Sequence, residues 1–293
     1  MRPFRLTAIG VLLSLSLTVG VSGEAGARTG AIRHAKKPQV SIDLFGDSLS
    51  FTLGFGINLR PLRAKYDYSL KNLAILGCGV VSNAKYMHHG QVQTGPAPCN
   101  GTTPAPGAPL TSQPLPVQWK ADLKKYPANV AVLLAGRWEE VDHLYLGQWT
   151  NILNPSYAAY VKQQLELVSN IVTSAGANMV FLTAPCISEP LSPDGAPWPE
   201  DSPARQAAYN DLVRQVAAEY PKTDSVVDLN AVVCRGGKFS PTYMGVTIRT
   251  PDGIHFTPQS GAAIAPAIIP KIVASGRAQM ARVVSKKSKK HRG

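Results

Sequence analysis

Two short stretches near opposite ends of the chain hold side chains able to do covalent chemistry together. The first is Gly46-Asp47-Ser48-Leu49, which follows an apolar run at 40–45. The second is Asp252-Gly253-Ile254-His255. A serine hydroxyl becomes a strong nucleophile when an imidazole takes its proton and a carboxylate holds that imidazole in place. The spacing of Asp252 and His255 lets the carboxylate reach Nδ1 of the same imidazole. A serine between a strand and a helix also sits beside unpaired backbone N–H groups, which can stabilise an oxyanion. The chemistry expected of such a set is attack on an acyl carbonyl. Asp47 or Ser48 would also serve as an ordinary helix N-cap, so the first stretch alone decides nothing. The lipase-type elbow G-x-S-x-G is absent, because position 50 is Ser.

The elements that must hold these side chains are legible as apolar runs. Residues 40–45, 72–76, 130–134, 179–183 and 226–229 have strand length and are nearly continuous in apolar character. That pattern predicts strands buried on both faces, as in a parallel sheet covered by helices. Residues 157–174 carry apolar side chains at helical spacing, and Gly176 supplies a stop. Ser202-Pro203 predicts a helix start, with an end near Tyr220. Pro258 opens a last helix, 259 to about 280. Strand and helix alternate, so the expected class is α/β with a doubly wound parallel sheet. Residues 90–116 break the rhythm with seven prolines and little apolar material, which predicts a long loop.

The chain has 293 residues and a formal net charge of +12. Arg2 and Arg5, an apolar run at 6–21 and Ala25-Gly26-Ala27 read as an export signal, cut near Ala27. The run is short for a membrane span, which needs about 20 apolar residues, so the mature form is expected to have no transmembrane segment. Arg28, Arg33, Lys36 and Lys37 form a basic linker at 28–37, and Lys286, Lys287, Lys289, Lys290 and Arg292 a basic tail at 285–293 expected to lack structure. The body, 38–284, is read as one domain with a charge near +2. Basic tails on an exported protein suit an anionic envelope polymer. No aromatic-interleaved basic patch supports nucleic-acid binding. Cys78, Cys99, Cys186 and Cys234 are even in number, and behind an export signal they predict two disulfides with three pairings open.

The two reactive stretches together resemble the SGNH hydrolase superfamily, whose members carry a GDSL block near the start and a DxxH block near the end. The resemblance spans roughly residues 40–270. It implies a three-layer α/β/α, flavodoxin-like domain with a five-stranded parallel sheet. It implies Ser48 as nucleophile, His255 as general base and acid, and Asp252 as the orienting carboxylate. The stretch 72–77 is similar to the family's second block and makes Gly77 a backbone oxyanion donor beside Ser48. The third block departs from the family: Gly136 is in register, but Trp138 and Glu139 stand where Asn and Asp are usual. Arg137 or the Trp138 indole is then the expected substitute donor. This variant is similar to SGNH domains linked to acyltransferase-3 membrane proteins, which act on surface polysaccharides.

The resemblance implies an exported serine esterase or acyltransferase acting on an acylated carbohydrate or small ester, without a cofactor. A catalytically weak carbohydrate-binding protein and a lipase are the alternatives. The family's strand order, 2-1-3-4-5, implies the disulfides Cys78–Cys99 and Cys186–Cys234. Trp138, Trp149 and Trp198 are candidates for stacking on sugar faces or for loop packing. His88-His89 and Asp142-His143 lack the local spacing of a metal motif, so no metal is expected. Asn100-Gly101-Thr102 is a glycosylation sequon that matters in a secretory eukaryote.

Overall fold

The structure is a computed structural model describing residues 39–81, 85–99 and 114–290. The export signal, its cleavage point near Ala27, the 28–37 linker and the Asn100 sequon lie outside the described residues. In chain order the elements are β1 (Val40–Gly46), α1 (Ser48–Ile57), α2 (Arg60–Tyr66), β2 (Tyr68–Asn72), β3 (Tyr86–His88), β4 (Gln91–Gln93), α3 (Pro114–Lys125) and β5 (Val130–Leu134). They continue with α4 (Arg137–Glu140), β6 (Asp142–Tyr145), β7 (Gln148–Thr150), α5 (Pro155–Ser174), β8 (Asn178–Leu182), α6 (Pro203–Glu219) and β9 (Asp224–Val227). The chain then forms α7 (Leu229–Val233), the hairpin β10 (Thr242–Tyr243) and β11 (Val246–Thr247), and α8 (Ser260–Lys290).

Five strands make an all-parallel sheet in the order β2-β1-β5-β8-β9. The sheet is covered on both faces, as the apolar runs require. Ile42, Leu44, Val132, Leu134 and Val180 face a core completed by Leu49 and Leu53 of α1 and Ile264, Ile268 and Ile272 of α8. Phe45, Leu133, Met179 and Phe181 face the other core, closed by Trp119 of α3, Tyr157, Val161 and Leu165 of α5, and Val213 of α6. Each such side chain taken fully from water contributes about 1.5–3 kcal/mol. The architecture is therefore the three-layer α/β/α sandwich expected from the sequence. Among the described residues, no helix is long and apolar enough to cross a membrane.

Several boundaries differ from expectation. The second strand is Tyr68–Asn72, not 72–76. It lies at the sheet edge and alternates, with Tyr68 and Leu70 buried and Lys71 exposed, so a search for continuous apolar runs passes over it. The 73–76 run follows it as an extension, with Ile75 N–H donating to Gly46 O at 2.8 Å. The fifth strand begins at Asp224 and ends at Val227, two residues before the predicted end. A second sheet, antiparallel and ordered β4-β3-β6-β7, has no apolar signature in the sequence. The last helix continues to Lys290, into the segment expected to lack structure. Ala, Arg, Met and Lys are good helix formers, and no glycine or proline interrupts 277–290.

Cys78 is bonded to Cys99 and Cys186 to Cys234. The first bridge ties the start of the proline-rich segment to the loop after β2. The second ties the loop after β8 to the end of α7. Replacing Cys186 and Cys234 together by Ser should cost about 2–4 kcal/mol. Denaturant unfolding with and without the pair measures it, and an unchanged midpoint would exclude a stabilising bridge.

Candidate active site

The turn from β1 into α1 puts Ser48 at the first position of the helix. Asp47 is the N-cap, and its Oδ1 accepts from Leu49 N–H at 2.8 Å. Ser50 Oγ donates to Phe45 O at 2.8 Å and closes the turn from inside. Gly46 has φ +131°, and a Cβ there would lie 1.8 Å from Leu134 O. Glycine is therefore required where β1 passes β5 and turns. Ser48 Oγ emerges at the positive end of α1, at the carboxyl edge of the sheet.

Asp252 and His255 arrive from the loop before α8. His255 Nε2 lies 2.8 Å from Ser48 Oγ. His255 Nδ1 lies 2.7 Å from Asp252 Oδ2. The other carboxylate oxygen accepts from Thr250 Oγ1 (2.6 Å), Ile254 N–H (2.8 Å) and His255 N–H (3.0 Å). Burial works to raise the Asp252 pKa, yet the hydrogen bonds from His255, Thr250 and the two amides hold the carboxyl well below its usual range. It stays ionised and fixes the imidazole tautomer.

Two residues that the sequence reading did not single out shape this loop. Arg249 is buried, donates to Cys186 O at 3.1 Å and to Ile254 O, and lies over the Phe256 ring at 4.1 Å. Burial lowers its pKa to about 9, against the pull of Asp252. Gly253 has φ +72°, and a Cβ there would lie 1.7 Å from Ser188 O. Substituting alanine should displace the loop carrying Asp252 and His255. A misplacement of about 1 Å can cost on the order of 100-fold in rate. The check is kcat for Gly253→Ala, and a value within twofold of the parent would show that the loop adapts.

Gly77 sits in the turn after β2 with φ +75°, two residues beyond the Ile75–Gly46 hydrogen bond. That bond ties the segment leading to Gly77 to the turn between β1 and α1. The segment 136–140 behaves differently from a simple substitute donor. Arg137 turns away into carboxylates: its guanidinium donates to Asp201 Oδ1 at 2.8 Å and to Glu189 Oε2. Both terminal nitrogens are thereby engaged with acids, while Nε is buried with no hydrogen-bond partner among the described residues. Trp138 packs against Tyr86 and His88, with ring centroids at 5.1 and 5.4 Å. Its Nε1 is buried with no hydrogen-bond partner among the described residues.

Glu139 takes a structural role. Its Oε1 accepts from Val80 N–H at 2.5 Å and Val81 N–H at 3.4 Å. It thereby clamps the loop that carries Gly77. Burial pushes Glu139 up to about 7, and burial with the nearby Glu139 pushes Asp47 up to about 7. Unfolded, such carboxyls ionise at about 4. Between the two values the unfolded chain binds fewer protons than the folded one, so stability falls as pH rises through that window. Glu139→Gln keeps the acceptor and removes one of these groups. It should flatten the decline in melting temperature between about pH 4 and 7; a parallel, equally steep decline would contradict the assignment.

The tryptophans divide. Trp198 stacks on His89 at 4.4 Å and donates Nε1 to Pro190 O at 2.9 Å, so it packs a loop. Trp149 on β7 is exposed. His143 is buried, with Nε2 2.6 Å from Trp138 O. His88 and His89 meet Glu189 and Glu200, residues about a hundred positions away. The expectation of no metal ligands rested on local spacing and had no access to that convergence.

No known family model matches the sequence, and no curated protein matches it. Several solved structures are similar to it in part. One is an alpha/beta hydrolase enzyme from the metagenome of Lake Arreo, 16% identical, covering 82% of this chain and 96% of the other with a TM-score of 0.49. Another is a GDSL-like lipase from Bacteroides thetaiotaomicron, 12% identical, covering 80% and 88% with a TM-score of 0.48. The periplasmic domain of a lipopolysaccharide acetyltransferase from Salmonella ser. Paratyphi A is 11% identical, covering 81% and 85% with a TM-score of 0.46. Likeness of this degree carries no argument about chemistry, which has to come from the site's own geometry.

Proposed function

We propose that the chain is an exported serine esterase of the SGNH type that hydrolyses or transfers a small acyl group, acetyl first among them, on a carbohydrate or other surface ester. The observation that carries this reading is the unbroken hydrogen-bond chain from Asp252 through His255 to Ser48 Oγ, ending at a helix N-terminus. Ser48 attacks the ester carbonyl while His255 takes its proton. The oxyanion is held by the N–H groups of Ser48 and Gly77, with the unpartnered Trp138 Nε1 as a third donor. His255 returns the proton to the leaving alcohol. Water or a sugar hydroxyl then resolves the acyl-enzyme, with His255 again the base.

Two disulfides suit an oxidising compartment, in keeping with export and cleavage near Ala27. The basic segments at the two ends of the mature chain would hold it near an anionic envelope polymer. The test is p-nitrophenyl acetate turnover by the mature protein, with and without an oligosaccharide acceptor. Ester turnover supports the reading, and acylated acceptor in the products identifies a transferase. Saturable polysaccharide binding with no ester turnover would overturn it in favour of a binding protein on this scaffold.

A further inference from the structure

Beside the catalytic loop lies a cluster that the proposed hydrolysis does not use. His88 ends β3, and His89 and Gly90 form a two-residue hairpin loop closed by the His88–Gln91 pair. Both loop residues have positive φ, 52° and 68°, the signature of a type I′ turn. That first position normally takes Asn, Asp or Gly, and histidine is among the other residues that adopt it. The turn sets the side-chain direction. Consecutive strand residues point to opposite faces, yet here the two imidazoles stack at 3.9 Å on the same side.

They face two acids from a distant part of the chain. Glu189 comes from the loop after β8, and Glu200 from the 3-10 turn Pro199–Asp201. His89 Nε2 lies 2.5 Å from Glu189 Oε2. His88 Nε2 lies 3.7 Å from Glu189 Oε1 and 3.9 Å from Glu200 Oε1. One ligand atom from each of the four lies within 4.8 Å of all the others. In a tetrahedral site with metal–ligand bonds near 2.1 Å, ligand atoms stand roughly 3.4 Å apart. The observed distances straddle that value.

Charge points the same way. The only guanidinium in contact with these acids among the described residues is Arg137, which also pairs with Asp201. Three carboxylates thus face one cation, all with side chains almost fully buried. An excess of buried negative charge is costly unless neutralised. The imidazoles add ligand atoms, and a divalent cation would offset the acids' charge. His89, about one-third exposed, leaves a path in from solvent.

We propose that His88, His89, Glu189 and Glu200 bind one divalent transition-metal ion of the zinc class, since two imidazoles and two carboxylates suit zinc. The site is structural with respect to the ester chemistry. It joins the β3–β4 hairpin to the 189–201 connection. Ser188, next to Glu189, donates its N–H to Gly253 O within the loop that carries Asp252 and His255. The metal therefore braces the rim of the active site. This inference does not depend on the esterase reading.

The test uses the full mature protein, first treated with a chelator and then titrated with Zn2+ alone by calorimetry, with Co2+ absorption to report coordination. Two variants preserve the local fold. His89→Asn keeps a residue suited to the left-handed turn, and Glu200→Gln keeps the acceptor for His89 N–H (2.8 Å). One Zn2+ per chain, a tetrahedral Co2+ spectrum, a raised melting temperature and a loss of affinity of roughly 100-fold or more in each variant are the expected results. No saturable binding by the parent would overturn the proposal. So would binding that persists unchanged in both variants, which would place the ion elsewhere, for example on His255.

Discussion

Ser48→Ala should lower ester turnover by roughly 10,000-fold or more, equivalent to about 5.5 kcal/mol of lost transition-state stabilisation. In the proposed mechanism the hydroxyl forms the covalent bond, and none of its neighbours can replace it. His255→Ala should cost nearly as much, because the serine then has no base. The double variant should be little worse than either alone, since the two groups act as a unit. Stability should change by less than about 0.5 kcal/mol: the helix cap is Asp47, not Ser48, and Ser48 is part-exposed. Kinetics with p-nitrophenyl acetate together with denaturant unfolding measure both quantities. Residual activity within tenfold of the parent in the Ser48 variant would remove the nucleophile from Ser48.

Arg137→Met should destabilise the protein by about 3–5 kcal/mol, because it strands buried carboxylates without their cation. The guanidinium is buried and serves Glu189 and Asp201 directly. Methionine fills much of the volume but restores no charge. Arg137→Lys should recover part of the loss, as it keeps a cation but cannot reach both acids with a fixed fork. For a domain of this size the methionine variant should melt about 10 °C lower. The kinetics separate two roles. A counterion role predicts a large drop in stability with kcat little changed below the melting transition. An oxyanion donor would instead lose kcat by on the order of 100-fold or more with Tm unchanged.

The features that were legible in the sequence share a physical cause. Strands buried on both faces must be apolar throughout, so β1, β5 and β8 stood out within a residue or so of their observed ends. The Asp252–His255 spacing is a local geometry, and local geometry survives in sequence. The long helix α5 announced itself through its apolar stripe, and Asn154 caps it by accepting from Ser156 and Tyr157 N–H. The edge strand β2 was displaced because its signal alternates. Strands such as Gln91–Gln93 and Gln148–Thr150 are three residues long and polar, too short to show a period of two. The supports of the site were hidden for a different reason. Arg249 reaches Cys186 O, 63 positions away. Glu139 reaches Val80 N–H, 59 positions away. His89 meets Glu189 across 100 positions. Nothing in local spacing records such meetings.

The same distinction explains the third block. Read as a motif, Gly136-Arg137-Trp138-Glu139 looks like a site that has lost its donor. In the fold, Arg137 and Glu139 are structural: one neutralises buried acids, and the other clamps the loop carrying Gly77. Trp138 is left with a buried N–H and no partner among the described residues. An unpaired buried donor costs about 1–3 kcal/mol.

The central claim is that Ser48 is a nucleophile activated by His255 and oriented through Asp252. Reaction of the mature protein with a fluorophosphonate, followed by peptide mass mapping, tests it most directly. One adduct per chain is expected on the peptide bearing Ser48, with far slower labelling in His255→Ala under the same exposure. An adduct on another residue, or undiminished labelling without His255, would contradict it.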